Sequence, residues 1–172
     1  MKKMTQRAIA PFFALVIALF SAQAFSIEEG YPVPNFDLQA LANSGGESTI
    51  KLSDYRGKVV YIDFWASWCG PCRKSLPDLN DIRAKYADQD FEVIAINVDK
   101  DKADAMKFLD KYPVDYPIAM DPSGKTAEQY ELKGMPNAFL VDKKGVLKHF
   151  HAGYKKKDKE KIDAMVASLL KE

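Results

Sequence analysis

Hydrophobic residues along this chain form short runs separated by polar turns, and the runs have two different spacings. Residues 59–65 are nearly continuous in apolar side chains, which is typical of a strand buried on both faces of a sheet. Residues 91–99 have the same character. From about Pro71 to Tyr86, apolar residues recur at every third or fourth position, which predicts a helix. A strand, a helix and a second strand in this order predict a right-handed parallel crossover.

Further short elements are predicted on either side of this unit. Extended arms at 36–38 and 49–52 flank the turn residues 43–46, which predicts an N-terminal β-hairpin. Residues 102–112 place apolar side chains at i, i+3, i+4 and i+7, the spacing of a helix. The remaining predicted elements are an extended segment at 116–120, a short helix at 123–132, strands at 138–141 and 146–152, and a helix at 157–170. We see no internal repeat or linker, so we expect one α/β domain.

The first 24 residues predict a secretory signal peptide, which leaves a single domain at residues 25–172. Three basic residues precede an apolar stretch at 8–20 that is short for a bilayer, and Ala22-Gln23-Ala24 is a small-x-small cleavage site. We therefore expect an exported, periplasmic protein. The alternative is an uncleaved signal that anchors the protein to the outer face of the cytoplasmic membrane, and this would be its only contact with a membrane.

The charge of the chain gives no support for binding nucleic acid. The whole chain has a formal net charge of +1. Residues 1–24 contribute three basic side chains and no acidic one, so +1 less these three charges leaves −2 for the rest. A nucleic-acid-binding domain would instead have a strong positive balance.

The only two cysteines of the chain, Cys69 and Cys72, lie between the predicted strand and the predicted helix. A helix N-terminus favours a thiolate, so Cys69 is predicted to attack disulfides and Cys72 to resolve the mixed disulfide. A structural staple is the weaker alternative, because so small a loop restricts the unfolded chain very little. A zinc site would need two further ligands, for which only His149 and His151 are available, and both are more typical of surface strand residues.

The residues around the cysteines resemble a known family. Residues 61–72, Tyr-Ile-Asp-Phe-Trp-Ala-Ser-Trp-Cys-Gly-Pro-Cys, resemble the active-site segment of thioredoxins, including Gly70 and Pro71 between the cysteines. From Tyr31 onward the chain resembles the exported thiol-disulfide oxidoreductases of the TlpA/ResA type. The resemblance implies a thioredoxin fold. In this fold a central mixed β-sheet is flanked by helices, here with an N-terminal β-hairpin extension and a central helix-strand insertion.

The resemblance also implies roles for single residues. Asp63 would be a buried proton acceptor for Cys72, although an aspartate that faces solvent or caps a turn is an alternative. Two departures from the family pattern concern this role. Ala95 stands where many thioredoxins have a lysine, and Ser75 stands where ResA-like proteins have an acid three residues after the resolving cysteine.

The same resemblance predicts a surface on which substrates dock. Pro136 would follow a cis peptide bond, so that the backbone of Met135 pairs with a bound substrate chain, unless Pro136 is an ordinary trans turn proline. Trp68 would line this surface together with Gly70 and Pro71, whereas Trp65 is expected in the core.

The predicted function is that of an exported thiol-disulfide oxidoreductase in cell redox homeostasis, without cofactor or metal. Gly-Pro between the cysteines is the dipeptide of reducing thioredoxins, which favours reduction of protein disulfides in the envelope or in apocytochrome c during cytochrome c biogenesis. The implied electron donor is a membrane thiol transporter. The alternatives are a peroxiredoxin-like thiol peroxidase, a module that delivers or binds copper, and a binding module without redox chemistry.

Overall fold

The computed structural model describes residues 27–43 and 45–172, so the predicted signal peptide at 1–24 lies outside the described residues. The strands are β1 (Asp37–Ala42), β2 (Thr49–Lys51), β3 (Val59–Trp65), β4 (Phe91–Asn97), β5 (Ile118–Met120), β6 (Asn137–Val141) and β7 (Leu147–Ala152). The α-helices are α1 (Cys72–Lys85), α2 (Lys102–Lys111), α3 (Lys125–Gln129) and α4 (Asp158–Leu169). A 3₁₀ turn, Leu52–Tyr55, follows β2.

The strands form one mixed sheet in the order β2-β1-β5-β4-β3-β6-β7. Strands β3 and β4 are parallel, as are β4 and β5, and the other neighbours are antiparallel. The predicted hairpin extension is present as β1 and β2, and the predicted helix-strand insertion is present as α2 and β5. Because β5 inserts between β4 and β1, it joins the hairpin to the central strands. The predicted thioredoxin fold is confirmed.

Strand β3 lies inside the sheet, and all seven of its residues are buried. Successive side chains of a strand point to opposite faces. Tyr61 and Trp65 belong to the core layer that contains residues of α1, α2 and α4, whereas Ile62 and Phe64 belong to the layer on the other face. The alternation therefore directs Asp63 toward the layer that packs under α1.

Three predictions about local structure are corrected. Strand β4 ends at Asn97 rather than at position 99, because the Asp99 N–H donates to the Asn97 side chain (3.0 Å) and turns the chain out of the sheet. The predicted helix at 123–132 is only the short α3, which starts after the left-handed Gly124 and is followed by Glu131 at φ 51°. His151 is not a surface residue, since its side chain is only 11% exposed beside Asp158.

In the part of the chain that the structure describes, no helix is both long enough and apolar enough to cross a membrane.

Candidate active site

The two cysteines lie at the junction between β3 and α1, and they form a disulfide. The Sγ atoms are 2.00 Å apart and the Cα atoms 5.4 Å apart. The Cys69 N–H donates to the Ala66 carbonyl (3.0 Å), which fixes the loop, and Cys72 is the first residue of α1. Cys69 is 3% exposed and Cys72 is fully buried. The arrangement therefore presents Cys69 near the surface and keeps Cys72 beneath it.

The N-terminus of α1 provides a positive electrostatic environment for these sulfurs. Pro71 is the N-cap residue, and the first turn contains Arg73 and Lys74 but no acidic residue. Within residues 27–43 and 45–172, no side chain caps this helix end. Unpaired N–H groups at a helix start stabilise negative charge and lower the pKa of a nearby cysteine. The site is thus suited to hold a thiolate once the disulfide is reduced.

Around the cysteines, the predicted docking residues are mostly exposed. Trp68, Gly70 and Pro71 are exposed, and Trp68 is the most exposed large hydrophobic side chain of the described residues at 68%. Trp65, by contrast, is fully buried, and its ring lies 5.0 Å from that of Phe108 between the ring centroids. The expected division between a core tryptophan and a surface tryptophan is confirmed.

Asp63 is buried in the layer between the sheet and α1. It is 1% exposed, and its Oδ2 atom has no hydrogen-bond partner among the described residues. Its neighbours on the adjacent strands are Ala95 and Ala138, which contribute only methyl groups. Burial raises the pKa of the Asp63 carboxyl well above its usual value. The solvent-facing alternative is therefore wrong.

Three tyrosines lie close enough to Asp63 to respond to its charge. Burial raises the pKa of the Tyr61 and Tyr116 hydroxyls, and the Asp63 carboxylate raises it further. Burial also raises the pKa of Tyr154, whose hydroxyl donates to Asp78 on α1 (2.9 Å). Asp63 thus lies among hydroxyls rather than beside a basic side chain.

The loop before β6 contains the predicted cis peptide bond, between Met135 and Pro136. The Pro136 carbonyl accepts a hydrogen bond from the Gly153 N–H (2.8 Å), which ties the loop to the end of β7. Met135 is half-buried and packs against the core layer that contains both cysteines. It also lines a cavity of about 610 Å³. Other residues that line this cavity are Tyr130, Asn137, Phe139, Leu147 and Phe150.

The sequence analysis missed the residue that holds the loop before Cys69. Asp99 accepts hydrogen bonds from the Ser67 N–H (2.9 Å), the Ser67 hydroxyl (3.0 Å) and the Asn97 amide (2.8 Å). A signal for this contact was available, because β3 and β4 are parallel and the polar residues just after them meet at one edge of the sheet. Asp99 fixes the position from which the cysteine loop begins.

Each of the two histidines lies beside an acidic residue. His149 lies 3.2 Å from Glu29 and His151 lies 3.4 Å from Asp158, measured between the nearest N and O atoms. Burial lowers the pKa of His151, and Asp158 opposes this effect. Among residues 27–43 and 45–172, no group of three potential ligands could hold a metal ion.

Comparisons with known proteins agree with this geometry. The model of the Redoxin family matches residues 28–166. The chain is 35% identical to the thioredoxin-like protein YneN of Bacillus subtilis over 149 residues, or 84% of each chain. It is 34% identical to the thiol-disulfide oxidoreductase ResA of Geobacillus kaustophilus, over 78% of this chain and 75% of ResA.

A solved structure is similar over nearly its whole length. It is the crystal structure of a proposed thiol:disulfide interchange protein DsbE from Chlorobium tepidum, with 43% identity and a TM-score of 0.79. The match covers 84% of this chain and 99% of that one.

Proposed function

The chain belongs to the Redoxin family and is a thiol-disulfide oxidoreductase, and we propose that it works outside the cytoplasm as a reductase of protein disulfides. The observation that carries this proposal is the Cys69–Cys72 pair at the start of α1, in which Cys69 is slightly exposed and Cys72 is fully buried. Gly70 and Pro71 between the cysteines support the reducing direction, since the same dipeptide occurs in reducing thioredoxins.

The first step is attack by the Cys69 thiolate on a substrate disulfide. A bond forms between Cys69 and one substrate sulfur, and the other substrate sulfur leaves as a thiolate. The positive end of α1 and the basic residues of its first turn support a thiolate at Cys69. The low exposure of Cys69 requires the substrate to present its disulfide in an extended, accessible segment.

The docking surface for that segment is formed by Trp68, Gly70, Pro71 and the backbone of Met135 before Pro136. The exposure of Trp68 supports this assignment, because an exposed aromatic side chain beside Cys69 offers an apolar contact to a bound chain. The neighbouring cavity offers apolar contacts to residues that follow the substrate cysteine. Phe150, at its wall, is 41% exposed.

The second step releases the reduced substrate. Asp63 accepts the proton of Cys72, the Cys72 thiolate attacks Cys69, and the substrate leaves with both electrons. The protein is left with the Cys69–Cys72 disulfide. The burial of Asp63, its free Oδ2 atom and its raised pKa support this role, since a carboxylate with a raised pKa is a stronger base toward the Cys72 thiol.

A membrane thiol donor would then return two electrons to the disulfide. Export is supported by the predicted signal at 1–24, and envelope proteins or apocytochrome c are the proposed substrates. Both statements rest on the resemblance to the exported branch. Export is tested by the mass of the mature N-terminus in a periplasmic extract.

Single-turnover trapping tests the assignment of the two cysteines. Cys72→Ser is expected to accumulate a mixed disulfide at Cys69 with a disulfide-bonded peptide, because no resolving thiolate is present. Cys69→Ser is the matched control and should trap nothing. Mass spectrometry after acid quenching measures both. A mixed disulfide at Cys72 in the Cys69→Ser variant, at the rate seen in the other variant, would contradict the assignment.

A further inference from the structure

Ser75 is a buried hydroxyl for which the disulfide form offers no partner. It lies in the first turn of α1, is 1% exposed, and its Oγ atom makes no hydrogen bond to any described residue. A buried hydroxyl without a hydrogen-bond partner destabilises the fold. A serine inside a helix can donate its hydroxyl proton to the backbone carbonyl one turn earlier. Ser75 Oγ makes no such hydrogen bond to the Pro71 carbonyl, which accepts the Ser75 N–H (3.2 Å).

The position of Ser75 relative to Cys72 is set by the helix. The two residues are three apart on α1, and both are buried. Side chains with this spacing are neighbours, with Cβ atoms about 5–6 Å apart. The next carbonyl along this face, that of Leu76, already accepts the Tyr116 hydroxyl (3.1 Å). Ser75 therefore projects into the layer that contains Cys72.

We propose that Ser75 is the hydrogen-bond partner of Cys72 in the dithiol form, and that it acts as a redox-dependent positioning residue. When a dithiol donor supplies two electrons, the bond between the two Sγ atoms breaks and Cys72 takes up a proton. The Cys72 S–H group then donates to Ser75 Oγ. When Cys72 gives up that proton for the resolving attack, the hydroxyl rotates and donates to the thiolate.

This hydrogen bond should affect both the equilibrium between the disulfide and dithiol forms and the pKa of Cys72, each in a definite direction. The hydroxyl stabilises the dithiol form but not the disulfide form, so it favours reduction of the protein. It also bonds the Cys72 thiolate, and because a hydrogen bond to an ionised group is stronger than one to a neutral S–H group, the net effect is to lower the pKa of that thiol. The other titratable groups of this layer are Asp63 on β3 and five tyrosine hydroxyls, and none of them changes in the variants proposed below. The tyrosines are Tyr61, Tyr86, Tyr112, Tyr116 and Tyr154.

Thermal unfolding of the two redox forms tests the proposal directly. Ser75→Ala should leave the Tm of the disulfide form unchanged or raised, because it removes a hydroxyl without a partner, and should lower the Tm of the dithiol form. Ser67→Ala is the matched control, since it removes one hydroxyl beside the same cysteines. Its hydroxyl donates to Asp99 in the disulfide form (3.0 Å), so its loss should lower the Tm of that form.

Equilibration with a dithiol buffer gives an independent measure. Ser75→Ala should lower the equilibrium constant for reduction of the Cys69–Cys72 disulfide by about three- to tenfold, the value of one hydrogen bond. A tenfold change equals about 30 mV. Ser75→Thr retains the hydroxyl and should stay near the wild type. Equal Tm changes in both redox forms of Ser75→Ala, or an unchanged equilibrium constant, would overturn the proposal.

The inference rests on the proposed role of Cys72 as the buried resolving thiol, but its test does not depend on substrate or direction. Both measurements use the purified protein and a small dithiol. A reductase that failed on protein substrates would still show the differential effect of Ser75→Ala, so the two failures are distinguishable.

Discussion

The burial of Asp63 in the fold opposes the ionisation that its proposed role as a proton acceptor requires. A carboxylate is costly in the layer under α1, where its strand neighbours are two alanines. Many thioredoxins place a lysine at the position of Ala95, and this chain does not. Burial raises the pKa of the Asp63 carboxyl, so its ionised form has a higher affinity for a proton, which is the property that the resolving step needs.

Replacing Asp63 should change the pH dependence of stability. The folded-state pKa of Asp63 is raised, so the neutral carboxyl stabilises the fold fully below its unfolded pKa of about 3.9. This stabilisation is lost as pH rises through the folded pKa. Asp63→Asn lacks the titration, so its unfolding free energy relative to wild type should increase from about pH 4 upward. Urea unfolding of the disulfide forms across this range measures it.

Asp110→Asn is the matched control for Asp63→Asn, because it removes one carboxylate from an exposed position of α2. It corrects for the change in net charge. A stability difference between Asp63→Asn and wild type that stays constant with pH would show that Asp63 is ionised in both the folded and the unfolded state.

Asp63→Asn should also slow release of substrate from the mixed disulfide, on the order of a hundredfold.

At the scale of elements, the ends of β3 and β4 hold the reactive loop in place. Asp99 follows β4 and binds both the backbone and the side chain of Ser67, which follows β3. The geometry of the loop that contains the cysteines is thus fixed by Asp99, which follows β4 and takes no part in the redox reaction.

Asp99→Ala should weaken this contact and lower both stability and reactivity. Three hydrogen bonds to a buried carboxylate are lost, so we expect the free energy of unfolding to fall by about 2–4 kcal/mol. Reaction of reduced Cys69 with a disulfide reagent should also slow, because the loop no longer starts from a fixed point. Stopped-flow kinetics and chemical unfolding measure the two effects.

Asp101→Ala provides the comparison for Asp99→Ala two residues away. Asp101 caps α2 through the Ala103 N–H (2.8 Å), and its loss should cost about 1 kcal/mol without changing Cys69. Equal reactivity of Cys69 in the two variants would show that Asp99 has no influence on the loop.

The elements differ in how far they could be predicted from the sequence. The bounds of strand β3 agree with the sequence prediction, because a short continuous apolar run rich in β-branched and aromatic residues is typical of a strand inside a sheet. The helix at 123–132 was overestimated, since a few apolar side chains at helical spacing do not show that Gly124 and Glu131 have left-handed backbones. The contact of Asp99 with Ser67 was missed because the two residues are distant in sequence, and the burial of Ser75 and the partial burial of His151 were missed because burial depends on the tertiary fold.

At the scale of the whole molecule, the segment before β1 forms backbone hydrogen bonds with β7, which is an edge strand of the sheet. The Gly30 N–H donates to the Leu147 carbonyl and the Leu147 N–H to the Tyr31 carbonyl, both at 2.8 Å. Val33 and Phe36 are buried behind it. The lead-in to the hairpin is thus part of the folded unit.

Truncation tests the proposed domain of residues 25–172. A chain that begins at residue 25 should fold with the stability and redox properties of the full chain. A chain that begins at Phe36 loses the pairing with β7 and the burial of Val33, so its free energy of unfolding should fall by about 2–4 kcal/mol. Equal unfolding free energies for the two chains would contradict the proposed boundary.

The direction of electron flow is the central claim about the whole molecule, and the reduction potential of the Cys69–Cys72 pair tests it most directly. Equilibration of the purified protein in thiol-disulfide buffers, with alkylation of the free thiols, gives this value. We expect a potential below about −220 mV, toward the thioredoxin end of the scale, as a reductase supplied by a membrane donor requires. A value above about −150 mV would place the protein near the strong oxidants and contradict the proposed direction.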